Sequence, residues 1–159
     1  SVRPGTKRSL TKHIPTLKLL IVTKDMKILT LNLKRQYFDE ILAGTKTHEY
    51  RDLFPENNDR FIRYRINGKE YKLNEIPSEE DEPGEITPVP IKYDAIKFLT
   101  GAYKGTRPYM IVEVLDAKIN IPKDDDGNPI IVFDESTNTE FIMAQMDYTL
   151  GKVIEKFDR

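Results

Sequence analysis

The sequence has no cysteine. That excludes a disulfide scaffold, a thiolate zinc site and a cysteine nucleophile. Histidine is scarce: His13 and His48 are the whole supply, too few for a multi-histidine metal centre. No apolar run approaches the roughly 18 residues that a spanning helix needs. The stretch Leu17 to Val22, interrupted by Lys18, is short for a signal peptide and is followed by no small-residue cleavage site. No membrane attachment and no cofactor are therefore expected, and the expected location is cytoplasmic. Net charge is also nearly absent, at −1 over 159 residues, so the whole body is not a sequence-independent duplex binder, which would need several phosphates neutralised at once.

The charge that is present is unevenly placed. Residues 1–27 carry seven basic side chains and one acid, and the remainder has a net charge of −7. A basic arm on an acidic body can hold phosphates or lie against the body itself. Residues 1–26, broken by Pro4, Gly5 and Pro15, read as a basic tail or leader, and Met26 is expected to open the fold. Residues 27–159 read as one domain. Inside it, residues 60–72 gather Arg60, Arg63, Arg65, Lys69 and Lys72, whereas residues 74–85 hold six acids and no base.

Hydrophobic periodicity gives the elements. Leu29, Leu31 and Leu33 alternate with Ile28, Thr30 and Asn32, a period of two that signals a strand. Asn32 is placed to cap a helix over 34–43, with Tyr37, Phe38, Ile41 and Leu42 on one face and Gly44 as its left-handed stop. Residues 47–53 follow as a strand. Residues 61–73 contain Asn67-Gly68, a two-residue hairpin signal. Residues 74–90, acidic and with four prolines, read as a mobile loop. Strands are expected at 95–99, at 109–117 (apolar on both faces and hence buried on both), at 130–133 and at 140–148, with a helical or extended end near 153–157. Many short strands, one early helix and no βαβ rhythm describe an α+β, mainly β domain, a small barrel with a helix after the first strand.

The densest chemical signal is Gly44-Thr-Lys-Thr-His-Glu-Tyr-Arg51. Alternation puts Glu49 and Arg51 on one strand face, and the turn can aim Lys46 at them. Such a patch can hold a phosphate, a ribose hydroxyl or a base edge; an edge strand guarded by charge would look the same. Glu113 shares a face with Ile111 and Leu115 and asks for a cation or a hydrogen-bond donor if buried, or for water at a wet strand end. Tyr103, Lys104, Arg107 and Tyr109 mix rings and cations around a glycine-bearing loop, as single-stranded nucleic-acid sites do and as ordinary turns do. The acidic turn 124–128 lacks the glutamate of a calcium loop, and neither histidine has a serine-triad setting.

The stretch from Ile28 to Arg51, with the element Gly44-x-Lys46 followed by Arg51, resembles the ASCH domain, a relative of the PUA RNA-binding domain. A second match runs from Tyr93 to Tyr103 and on from Arg107 to Val114. The resemblance spans roughly residues 27–118 and implies a small PUA-like β-barrel, with a cleft lined by Lys46 to Arg51 that takes RNA or a modified nucleoside. Lys46 and Arg51 would meet phosphate or carbonyl oxygens, Glu49 would accept from a base amine, Tyr103 and Arg107 would form the rim, and Glu113 would give structural support. Some small members of the family are amidohydrolases that deacylate N4-acetylcytidine with a lysine, a threonine three residues later and a distant glutamate. Here the lysine position is Lys46, but the threonine position is Glu49, which lacks the hydroxyl nucleophile. The alternative reading is thus a C–N hydrolase of an N4-acylated cytidine-type nucleoside, with Lys46 as base and Glu49 activating water. A third reading is a protein-interaction module using residues 74–90.

Overall fold

The computed structural model describes residues 22, 23, 25–101 and 105–158. Among the described residues strand accounts for 48% and helix for 11%, so the class is α+β weighted to β. The strands are β1 (Ile28–Asn32), β2 (His48–Leu53), β3 (Ile62–Ile66), β4 (Lys69–Tyr71), β5 (Thr87–Pro90), β6 (Ala95–Leu99), β7 (Tyr109–Asn120), β8 (Ile131–Asp134), β9 (Thr139–Ile142) and β10 (Ala144–Phe157). The helix α1 (Arg35–Ala43) follows β1 directly, as the sequence predicts. No helix among the described residues is long and apolar enough to cross a membrane.

The described residues cluster into two compact units. One takes the chain up to Lys46, Tyr93–Val114 and the end from Gly151; the other takes Thr47–Lys92 and Leu115–Leu150. Strands β7 and β10, neighbours in the sheet order, contribute to both.

In the first unit β1 pairs parallel with β6, and β6 pairs antiparallel with β7. The parallel pair is absent from the sequence reading, because the chain from Leu33 to Asp94 that links the two strands is no simple βα crossover. Its core is Leu29, Leu31, Phe38, Ile41, Ala95, Ile96, Phe98, Met110 and Val112. Helix α1 buries Phe38 and Ile41 but leaves Tyr37 exposed. Asn32 does not cap it. The N-cap is Lys34, without a side-chain cap bond, and the Asn32 Oδ1 accepts from Arg107 instead. The C-terminus closes as expected: Gly44 sits at φ 83°, and the Glu40 carbonyl accepts from the N–H groups of Thr45 and Lys46. That left-handed cap is what turns the chain toward β2.

In the second unit β10 pairs antiparallel with β2, from Ala144 opposite Leu53 to Thr149 opposite His48. Strand β3 lies between β4 and β5, and β8 pairs with β9. Leu53, Phe61, Ile62, Ile66, Ile91, Met146, Tyr148 and Leu150 are buried here. Asn67 and Gly68 both have positive φ, at 51° and 83°, the geometry of the predicted tight hairpin.

Three further expectations change. Residues 74–90 are not one loop: Leu73–Glu75 is a 3-10 turn, Asn67 Nδ2 donates to the Pro83 carbonyl at 2.8 Å, and Thr87–Pro90 forms β5 on β3. Prolines are compatible with a strand at the end of a sheet order, where one row of N–H groups needs no partner. Strand β7 runs on to Asn120, and only its first half is buried. The chain after Glu140 divides at Met143 into β9 and a long β10 that continues through Phe157, so the end is extended and not helical.

Candidate functional site

The Gly44–Arg51 segment begins at the end of α1 and continues into β2. In the first unit, the Lys46 ammonium lies 5.6 Å from the centre of the Tyr37 ring, within cation–π range. The helix cap fixes the Lys46 backbone, because its N–H is bonded to the Glu40 carbonyl.

In the second unit, β2 alternates as predicted. Glu49 and Leu53 are buried, and Tyr50 and Asp52 are exposed. Arg51 shares the inward face, and its Nε donates to Glu49 Oε2 at 2.6 Å. The carboxylate is only 6% exposed and the guanidinium side chain 27%. A buried carboxylate without a cation would be costly; a neighbouring arginine two residues along the same face supplies one and is still open to water.

The opposite face of β2 carries a second polar arrangement. His48 Nδ1 lies 2.7 Å from Asp147 Oδ1 on β10, and the His48 ring stacks on Tyr50 with centroids 5.9 Å apart and planes 9° from parallel. Alternation alone groups His48 with Tyr50. Asp147 was not legible, because its place depends on the β2–β10 register.

The remaining sequence candidates lie in the first unit. Arg107 Nη2 donates to Asn32 Oδ1 at 2.9 Å, and its Nε is buried with no acceptor among the described residues. Glu113 is half-buried and accepts from the backbone N–H of Lys152 at 3.4 Å. Tyr109 donates to Glu155 at 2.7 Å, stacks on Phe157 and takes the Lys97 ammonium over its ring at 4.5 Å. Its hydroxyl pKa is raised, chiefly by that hydrogen bond to Glu155. Tyr103 and Lys104 lie outside the described residues, as does the tail up to residue 21.

Compared with models of known families, with characterised proteins and with solved structures, the chain finds no match in any of the three. The functional reading therefore rests on the residues themselves.

Sequence reasoning missed Asn58, and it placed Tyr64 only as a ring on the basic hairpin. Asn58 is buried, and its Nδ2 donates to the Tyr64 hydroxyl at 2.9 Å. Burial raises the Tyr64 pKa, with a smaller push from the Asp59 charge. Nothing in the sequence marked their pairing: Asn57-Asn58-Asp59 reads as a turn, and Tyr64 lies in a hairpin strand whose inward face cannot be told from its arginine-rich pattern.

Proposed function

We propose that the chain is an ASCH-type, PUA-like binding module that takes RNA or a modified nucleoside through the Gly44–Arg51 segment. The observation that carries this reading is the Glu49–Arg51 pair. A buried carboxylate holds the arginine through its Nε–H, so the guanidinium is oriented before any ligand arrives. Oriented donors of this kind recognise phosphate or carbonyl oxygens. Lys46, three residues before Glu49 and anchored by the helix cap, adds a second cation in the same short segment.

The test is fluorescence anisotropy of a labelled short single-stranded RNA, with cytidine and N4-acetylcytidine as competitors. Lys46→Ala and Arg51→Gln are each expected to weaken binding about tenfold or more, the scale of a charged hydrogen bond. Lys72→Ala is expected to change mainly the salt dependence. Equal and small effects from all three would sink the proposal.

Hydrolysis is the second reading, on the specific ground that Lys46 and Glu49 occupy the lysine and threonine positions of the hydrolase pattern. Water would add to the acetyl carbonyl of N4-acetylcytidine, the C–N bond would break, and cytidine and acetate would leave. Glu49 already gives one carboxylate oxygen to Arg51, which favours binding over base catalysis. Chromatography after incubation separates the two: no cytidine above a Lys46→Ala control removes the enzyme.

A further inference from the structure

Strand β7 outlasts one of its neighbours. It pairs with β6 from Tyr109, opposite Leu99, to Glu113, opposite Ala95, and the Val114 N–H still reaches the Asp94 carbonyl at 3.0 Å. From Leu115 to Asn120 the strand continues with β10 on one side. No strand among the described residues pairs with its other side there. Such an open edge is a template for another strand. Backbone groups alternate in direction along a strand. Val114 points its N–H toward the β6 side, so Asp116 and Lys118 present theirs along the open stretch of that same side.

The open stretch reads Leu115-Asp116-Ala117-Lys118-Ile119: apolar, acidic, small, basic, apolar. About Ala117 the ends match in character and the charges are opposite in sign. Leu115 is 62% exposed, the most exposed large hydrophobic side chain among the described residues. The Asp116 and Lys118 side chains are 55% and 67% exposed and 3.9 Å apart. An exposed pair of this kind contributes little within one chain, so both charges are available to a partner.

A second copy related by a two-fold axis meets these features in a single register. With Ala117 opposite Ala117, Asp116 of each copy faces Lys118 of the other, and Leu115 faces Ile119. The backbone favours the same register, because the outward groups of Asp116 and Lys118 then meet as a hydrogen-bonded pair. Moving the axis to Asp116 or to Lys118 keeps the hydrogen bonds but sets like charges opposite, which is destabilising. A strand edge guarded against pairing carries charge that repels its own copy. This edge attracts it.

We propose that the chain self-associates through this edge, with residues 115–119 of two copies pairing antiparallel about Ala117. The partner is a second copy of the chain. Backbone hydrogen bonds supply the contact, and the two Asp116–Lys118 pairs select the register. Five residues per strand make a small interface of the transient kind, so the dimer is expected at high protein concentration.

The test is sedimentation of the full chain up to about 1 mM, where a concentration-dependent dimer is expected. Asp116→Lys and Lys118→Asp each set like charges opposite, and each is expected to weaken self-association about tenfold or more. An equimolar mixture of the two variants restores two opposite pairs and is expected to recover a mixed dimer. The lack of native cysteine allows a second measurement. In the proposed register the two Ala117 Cα atoms lie about 4.5 Å apart as a non-hydrogen-bonded pair, within disulfide reach. With oxidised glutathione, Ala117→Cys is expected to form a covalent dimer about tenfold faster than Leu115→Cys, whose thiol faces Ile119 and not its own copy.

A chain that stays monomeric to that concentration, single variants that associate as the unsubstituted protein does, a mixture no more associated than its components, or Leu115→Cys crosslinking as fast as Ala117→Cys would each overturn the proposal. If a charge variant does not fold, the crosslinking rates decide.

Discussion

At the scale of single residues, the Glu49–Arg51 pair shows how a local repeat becomes a chemical device. Two positions apart on a strand means one shared face, and here the sequence reading and the structure agree that Glu49 and Arg51 point the same way. Burial of Glu49 was not readable, because neither face of residues 47–53 is cleanly apolar and the buried side depends on what β10 and its neighbours cover. Removing the arginine should leave the carboxylate short of its cation. Arg51→Ala is expected to destabilise the protein by about 2 kcal/mol in urea unfolding, and Arg51→Gln by less, since the amide restores a hydrogen bond. Equal stability of Arg51→Ala and the unsubstituted protein would show that the pair contributes nothing.

Tyr64 gives a pH prediction at the same scale. Its pKa in the folded protein is raised by burial above the ordinary tyrosine value. The protonated form is therefore favoured by folding. The associated stabilisation is complete below the ordinary value of about 10 and disappears as pH climbs from there through the folded value. Tyr109 is raised as well, first by its bond to Glu155. Alkaline titration of tyrosinate absorbance should show late components, with Tyr64→Phe removing one and Tyr109→Phe another. A Tyr64→Phe curve superimposable on the original would contradict the burial of that hydroxyl.

At the scale of elements, turn chemistry was the most legible part of the chain. Gly44 and Asn67-Gly68 were both identified from residue type alone, and both adopt the positive φ that those residues permit. The two helix ends differ in this respect. The C-terminal stop follows from glycine at one position, whereas Asn32 had two competing uses and the structure spends it on Arg107. A Cβ added at Gly44 meets nothing within 4 Å, whereas one added at Gly84 (φ 147°) lies 2.9 Å from the Asn67 side chain. Gly44→Ala is therefore expected to cost about 1 kcal/mol, from backbone strain alone. Gly84→Ala should cost more, because it adds a clash that disturbs the bond from Asn67 to the Pro83 carbonyl. Thermal or urea unfolding of the two variants checks the order, and a Gly84→Ala protein as stable as Gly44→Ala would contradict it. Strand β5 escaped the sequence reading for a related reason: Thr-Pro-Val-Pro is punctuation by composition, and only pairing along one side of β3 makes it a strand.

At the scale of the whole molecule, the class was legible and the connectivity was not. Short alternating runs indicate a mainly β protein, which the structure has. The parallel pairing of β1 with β6 joins segments far apart in sequence, and no local pattern encodes it. The division of the described residues into two units is hard to read in composition, since β7 and β10 run through the boundary as continuous strands and only Gly151 in β10 marks it. Charge is the one whole-chain property that carries a functional expectation. The excess of basic residues in 1–27 should add phosphate contacts, so RNA affinity is expected to fall steeply as salt rises. Nucleoside binding through the Gly44–Arg51 segment should be far less sensitive. Identical salt slopes for RNA and for a nucleoside would argue against separate contributions.

The most direct measurement is amide chemical-shift mapping of the full chain with cytidine and then with a short single-stranded RNA. The account predicts that both ligands shift the amides of residues 44–51, and that Lys46→Ala abolishes those shifts for the nucleoside. Shifts confined to other parts of the chain, or none at all with either ligand, would contradict it.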